Sequence, residues 1–288
     1  DWIDAMGSML FDAADLTWSE SLCSLVPLDM NKLPPVMSPT DVVGRVTRQA
    51  AYETGLTEGT PVIVGTTDTA LEVFGAGAVR PGQTTVKLAT AGRICVISDR
   101  AYPHPHLLNY RHVVRGCWYP GTGTKSCASS YRWFRDVFCQ QEQNVAEYSG
   151  LSEYQLIDAG AAKVPIGCEG LFFHPYLLGE LSPYGDPHLK ASFTGVTMRH
   201  SREHFARAVL EGVAFSLLDC VSVFEELSVS FGDIRIIGGG AKSLLWSQIV
   251  CDVLGMPASK PEIDDSSFGG AMLAGIGVGV FDDATQAV

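Results

Sequence analysis

Ile234-Arg235-Ile236-Ile237 runs directly into Gly238-Gly239-Gly240, and a helix-patterned segment follows at once. No other stretch constrains the fold as much. Three isoleucines in four positions, bounded by glycine, read as a strand, and Leu245, Ile249 and Val253 put one apolar stripe on a helix spanning Ala241–Leu254, closed by Gly255 and Pro257. A strand that turns within three residues into a helix belongs to a layered α/β architecture. Three bare residues let a flat or phosphorylated ligand approach the backbone, and the helix N-terminus beyond them offers free N–H groups and partial positive charge. The same residues also read as nothing more than a tight strand-to-helix turn. The loop is neither a P-loop nor G-x-G-x-x-G, since Ser243 stands where the last glycine would be, and Gly121-Thr122-Gly123-Thr124-Lys125-Ser126 also fails the P-loop spacing.

The rest of the chain supports alternating elements. Leu16–Leu25 and Asp41–Thr54 are patterned as helices, the second entered at Ser38-Pro39-Thr40-Asp41 and stopped at Gly55. Pro61–Gly65 reads as a short buried strand ending in Thr66-Thr67-Asp68. Gly75-Ala76-Gly77-Ala78, followed by Pro81-Gly82, is the hinge or domain boundary. Thr84–Leu88 and Arg93–Ser98 form a hairpin across Ala89-Thr90-Ala91-Gly92, Tyr110–Tyr119 reads as a further strand, and 126–138 and 153–162 as helices. Phe205, Val209, Val213, Leu217 and Val221 recur every fourth residue on a long helix that Ser201 can cap.

Composition narrows the function classes. Among 288 residues, 32 acids against 20 bases give a net charge of -12, which excludes nonspecific binding to nucleic acid or anionic lipid. No apolar run is long enough to span a membrane. Hydrophobic residues make up 46% of the chain, enough for a large core, and the length suits about two domains of ~100–200 residues. The 8 cysteines contain no C-x-x-C pair and read as reduced core thiols of a cytoplasmic protein. His104, His106 and His112 are a loop group without the acidic or thiol partners of a metal centre. The opening Asp1-Trp2-Ile3-Asp4, with no Met and no basic leader, reads as a piece of something longer.

Asp68, at the end of an apolar strand in a Gly/Thr-rich turn, is placed to take a proton from a substrate hydroxyl, and reads equally as the cap of the helix 69–74. Ala89-Thr90-Ala91-Gly92 offers N–H groups and one hydroxyl to a phosphate, or is simply a turn. Glu169, Glu180 and Asp186 bracket a Gly/Pro-rich stretch that is either a site loop or surface. Trp118, Trp133 and Trp246 suit a core.

Four segments in this order resemble the FGGY carbohydrate kinases: Val64-Gly65-Thr66-Thr67-Asp68 with Gly75-Ala76-Gly77-Ala78, then Leu88-Ala89-Thr90-Ala91-Gly92, then 170–180 continuing through Ser182-Pro183, 193–196 and 207–212, then Gly238–Ser243 with Trp246, Gln248 and Asp252. The resemblance implies an actin-like ATPase fold with ribonuclease-H-like domains, a mixed sheet flanked by helices, and ATP in a cleft. Residues 1–75 resemble the tail of the first, sugar-binding lobe and 76–288 the second, nucleotide-binding lobe; the first lobe's Asp-x-Gly-Thr hairpin is absent. It implies Asp68 as the general base, Thr90, Ala91 and Gly92 at the β/γ-phosphates, and Ala128, Arg132, Gly239, Gly240, Ala241, Ser243 and Gln248 around the nucleotide, with Mg²⁺ held by phosphates and water and no protein metal site. The expected substrate is a sugar, chiefly a ketopentose such as D-xylulose; glycerol, ribulose, gluconate or another polyol, and a non-catalytic actin-like nucleotide-binding module, are the alternatives. Oligomeric state stays open, a homodimer included, and the piece alone is expected to be inactive because the family's sugar pocket straddles both lobes. Departures from the family pattern are Ala89-Thr90-Ala91 for Gly-Thr-Ser, Leu181 for Arg, Ala128 for Gly, and Met6 after Asp4-Ala5 where a polar run is usual.

Overall fold

The computed structural model describes residues 1–288. Its organising element is a five-stranded mixed sheet. β1 (Gln83–Leu88), β2 (Gly92–Val96) and β3 (Gly121–Thr124) form an antiparallel meander, and β4 (Gly232–Ile237) then β5 (Ala258–Ser259) add parallel on the β1 side, giving the order β5-β4-β1-β2-β3. A three-stranded meander extended by parallel strands at its first member is the ribonuclease-H-like arrangement the resemblance implies.

The two-residue period of a strand sorts the side chains between two cores. Val86, Leu88, Ile94 and Val96 enter the larger, beneath α4 (Arg202–Glu226) and α5 (Leu244–Leu254); Cys95 and Ile97 enter the smaller, with Trp2, Ile3, Val73, Phe74, Tyr119 and Met272. Helix α4, 25 residues long, lies across the first face, and Ser201 begins it in a capping box with His204. Inside it Arg207 Nε meets Glu211 Oε1 at 2.6 Å with both side chains buried. On the second face α1 (Asp68–Gly75) crosses α6 (Ser266–Gly277) at glycines: a Cβ on Gly75 would sit 3.2 Å from the Gly269 backbone.

Several expected elements differ. Only Glu20–Cys23 of the expected helix 16–25 is helical, because Leu16 takes a left-handed φ of 57° and Thr17–Trp18 pairs with Phe11–Asp12. The expected helix 41–54 begins at Arg48, capped by Thr47; residues Val42–Arg45 instead form a strand, bulged at Val43, that pairs with Pro61–Ile63, which is half exposed rather than buried. Asp41 Oδ2 accepts the Ser38 N–H at 2.9 Å, closing a turn where a helix entry was expected, whereas Gly55 (φ 77°) ends the helix as expected. Residues 110–119 are not one strand: Gly116 (φ 86°) reverses them into a loop in which Arg111 bridges Trp118. Gly121–Thr124 is the strand instead, and Gly123 is glycine because a Cβ there would strike the Gly92 carbonyl. A helix at Gln140–Ser149 was not anticipated. No helix is long and apolar enough to cross a membrane, and all 8 cysteines are free.

Candidate active site

The glycine loop after β4 assigns each glycine a different task. Gly238 takes φ 89° and gives its N–H to Asp264 Oδ2 at 2.6 Å. At Gly240 a Cβ would stand 2.7 Å from Leu88 Cβ and 2.8 Å from Trp246, so packing alone forbids a side chain. Gly239 has nothing within 4 Å of where its Cβ would be, so of the three glycines it alone has open space where a side chain would go. Residues 239–242 form a 3₁₀ turn, and the α-helix begins at Leu244, not at Ala241, with Ser243 Oγ accepting the Trp246 N–H at 3.0 Å. That shift turns Ala241 into the core at 0% exposure, away from the cleft the sequence assigned it to. Gln248, a turn and more into α5, is spent on Asp252 at 2.7 Å and also lies outside the cleft.

Thr90, Ala128, Arg132, Gly239, Gly240 and Ser243 do converge, on a cleft of about 590 Å³. Trp246 forms part of its wall, with Tyr131 edge-on to it at 5.7 Å between ring centroids. Sequence reasoning missed the opposite wall, Tyr131, Ser152, Tyr154, Gln155 and Asp158, which comes from α2 (Ala128–Phe138) and α3 (Glu153–Ala161). Ser152 and Gln155 are legible as a capping box, but that pattern marks a helix start and says nothing of what the helix faces. Tyr131 donates to Asp158 Oδ1 at 2.6 Å, leaving the other carboxylate oxygen as an acceptor. Aromatic walls, a few fixed polar groups and one bare backbone position suit a flat heterocycle with a polar edge.

The hairpin between β1 and β2 is fixed from below. The Ala89 carbonyl accepts the Ala128 N–H at 2.7 Å, and the Thr90 carbonyl accepts from Cys127 N–H at 3.1 Å and Ser129 Oγ at 2.7 Å. The first turn of α2 therefore spends its free donors on the hairpin's carbonyls. The N–H groups of Thr90 and Ala91 and the Thr90 hydroxyl donate to no protein acceptor, and both residues are exposed, which leaves three donors for an anion. Gly92 permits the tight closure, since a Cβ there would lie 2.8 Å from Thr124. The hairpin lines a groove of about 530 Å³ shared with Lys87, Arg93 and Lys125. Glu180, expected as a site loop or surface residue, is buried behind that groove: its carboxylate takes Thr124 Oγ1 at 2.5 Å, Lys125 N–H at 2.9 Å, Leu181 N–H at 2.7 Å and Ser216 Oγ at 3.4 Å, so it holds the groove wall without facing a ligand.

Asp68 is the first residue of α1, and the cap is Thr67, whose hydroxyl accepts the Ala70 N–H at 3.4 Å. The alternative role for Asp68 thus falls to its neighbour. Asp68 Oδ1 accepts the Thr69 N–H at 2.6 Å, which fixes the carboxylate, and Oδ2 has no protein partner. It borders a hollow of about 240 Å³ with Asp4, Arg93, Tyr110 and Tyr119. This hollow shares Thr69 and Arg93 with the groove, and the groove shares Thr90 with the cleft, so the three adjoin in the order hollow, groove, cleft.

A family model described as the FGGY family of carbohydrate kinases, C-terminal domain, matches residues 95–278, and the corresponding N-terminal domain model matches residues 1–75. The chain is 31% identical over 291 residues to the xylulose kinase of Bacillus subtilis (strain 168), covering 99% of this chain and 56% of that one. It is 29% identical to the gluconokinase of the same organism, covering 96% and 54%. The chain therefore spans about half the length of the curated relatives it matches. The crystal structure of xylulose kinase from Rhodospirillum rubrum superimposes with a TM-score of 0.83 at 31% identity, covering 100% of this chain and 57% of that one. The fold is the actin-like ATPase fold expected from the sequence.

Proposed function

The chain belongs to the FGGY family of carbohydrate kinases, and on that premise we propose that it is the base-and-nucleotide portion of an ATP-dependent kinase acting on a ketopentose such as D-xylulose. The observation that carries this is the row of adjoining spaces from the free oxygen of Asp68, past the unspent amides of Thr90 and Ala91, to the cleft at Gly239. Asp68 accepts the proton of the attacking sugar hydroxyl; the hairpin amides and Thr90 hold phosphate oxygens; Tyr131, Tyr154, Gly239 and Ser243 hold the nucleoside end. Mg²⁺ suits this site as a phosphate-held ion, spreading the charge of the polyphosphate when bound. The segment 75–78, with Gly77 at φ 80°, is the hinge between a first-lobe tail (1–75) and the second lobe (76–288), and its closure excludes water that would hydrolyse ATP. Eight free thiols suit a reducing compartment, which we take to be the cytoplasm. Gluconate is the second reading, favoured by the gluconokinase similarity, because both relatives share this half of the chain and differ in substrate.

The test is ADP release by the whole protein with MgATP and a panel of pentuloses, hexuloses, gluconate, glycerol and other polyols. Selective stimulation by a ketopentose supports the proposal, stimulation by gluconate moves it to the second reading, and ATP binding with no stimulation by any sugar overturns it in favour of a binding module. The two glycines separate packing from binding. Gly240→Ala is expected to destabilise by about 1–3 kcal/mol through overpacking against Leu88 and Trp246. Gly239→Val should leave the melting temperature nearly unchanged while weakening ATP binding about tenfold or more, read by calorimetric titration.

A further inference from the structure

Lys87 on β1 and Arg93 on β2 are direct partners across the antiparallel pair, so their side chains leave the same face of the sheet side by side. Two like charges in that arrangement repel. Lys87 is balanced by an ion pair with Glu72, four residues beyond Asp68 on α1. Arg93 has no such partner: no carboxylate lies within ion-pair distance, although Asp4 and Asp68 border the same hollow. It is half-buried. A half-buried guanidinium beside an ammonium and without a counter-ion is a standing electrostatic cost that an arriving anion would relieve.

Its place says which anion. Arg93 and Thr69 are the two residues that line both the hollow of Asp68 and the groove of the hairpin. A group passing from a phosphate held at Thr90 and Ala91 to a hydroxyl held at Asp68 must cross this boundary. The hairpin itself supplies a single hydroxyl between two alanines, so charge developing at the transferred phosphorus needs another donor nearby.

Resting on the kinase reading above, we propose that Arg93 is a catalytic residue whose guanidinium binds the oxygens of the phosphoryl group in transit. In that step the sugar oxygen forms a bond to the γ-phosphorus, the bond from that phosphorus to the β–γ bridging oxygen breaks, the hydroxyl proton passes to Asp68, and ADP leaves with the electron pair. Arg93 gains or loses no proton; it neutralises the equatorial oxygens.

The test compares wild type, Arg93→Ala and Arg93→Lys in the whole protein. Expected for Arg93→Ala are a fall in kcat of about 10²–10³-fold, with the KM of the sugar and the affinity for MgATP each within about threefold. By calorimetric titration, MgADP with aluminium fluoride and sugar, which imitates the planar phosphoryl group, should bind wild type far more tightly than Arg93→Ala. Arg93→Lys, keeping charge but losing the fork, should fall between, and all three should melt alike. Unchanged kcat and unchanged aluminium fluoride affinity in Arg93→Ala would overturn the proposal, as would a defect confined to sugar KM, which would make Arg93 a sugar-binding residue. Loss of melting temperature in both variants with equal loss of MgATP binding would make it structural. Wild type inactive on every sugar would instead remove the kinase reading, and this inference with it.

Discussion

Asp68→Asn in the whole protein is expected to lower kcat about a thousandfold, within the 10²–10⁴ range that a positioned general base contributes, while MgATP affinity stays within about threefold. The amide keeps the size of the carboxylate, and its oxygen can still accept the Thr69 N–H that now fixes Oδ1 at 2.6 Å. What it cannot do is take a proton at the second oxygen, which faces the hollow with no protein partner. Thr67, not Asp68, caps α1, so the helix keeps its cap and the variant should melt with wild type. Rapid-quench measurement of sugar phosphate formed in a single turnover reads the chemical step directly. Equal turnover by the Asn variant would remove Asp68 from the mechanism.

The largest expected loss of stability is at Glu211→Ala, about 3–5 kcal/mol, measured by urea unfolding with global and local probes. Arg207 and Glu211 are 6% and 5% exposed in the middle of α4, and the carboxylate also receives the Gly167 N–H at 3.2 Å and the Cys168 thiol at 3.4 Å. Burial and this carboxylate together push the Cys168 thiol up to about 12, so it stays protonated and donating. Removing the acid leaves a buried guanidinium without an anion and frees a segment in which Gly167, Cys168, Glu169 and Gly170 all hold positive φ. The double variant Arg207→Met, Glu211→Leu should recover most of the loss, because it removes both charges and keeps the volume. If Glu211→Ala alone proves neutral, the pair is not what holds α4 to that segment.

The sequence was most legible where one local rule governs. The β1–β2 hairpin, the long helix α4 and the glycine loop after β4 were all readable, because periodicity of two or about four and glycine punctuation decide them. It was least legible where partners distant in sequence decide. Gly121–Thr124 alternates glycine with threonine, so its glycines mask the strand that pairing with β2 makes of it, while the β-rich residues 110–119 lose their strand to a glycine reversal. At the site, Asp68, Thr90 and Gly239 were nominated by the family resemblance, their own segments reading at least equally as a cap or a turn. Tyr131, Tyr154 and Asp158 were not, since helices α2 and α3 reach the cleft only through packing on the larger core. Ala241 and Gln248 were assigned to the nucleotide by the family resemblance; Ala241, within the 3₁₀ turn, is packed in the core, and Gln248 is spent on Asp252 outside the cleft.

The contact of Leu88 with the glycine loop has a consequence for inheritance. Leu88 closes β1 immediately before the hairpin, while its backbone and Cβ are the atoms that Gly238 and Gly240 pack against. The parallel register of β4 on β1, from Thr84 opposite Ile234 to Lys87 opposite Ile237, carries both loops as a single piece. The spacing between them then acts as a ruler that neither loop can reset alone. An insertion in either strand would slide one loop past the other, and a side chain at position 240 would meet the Leu88 Cβ and carbonyl and the Trp246 ring, none of which a shorter residue at 88 removes. Position 240 should accordingly stay glycine, and loop grafts between kinases of this architecture should succeed only when both loops are moved together.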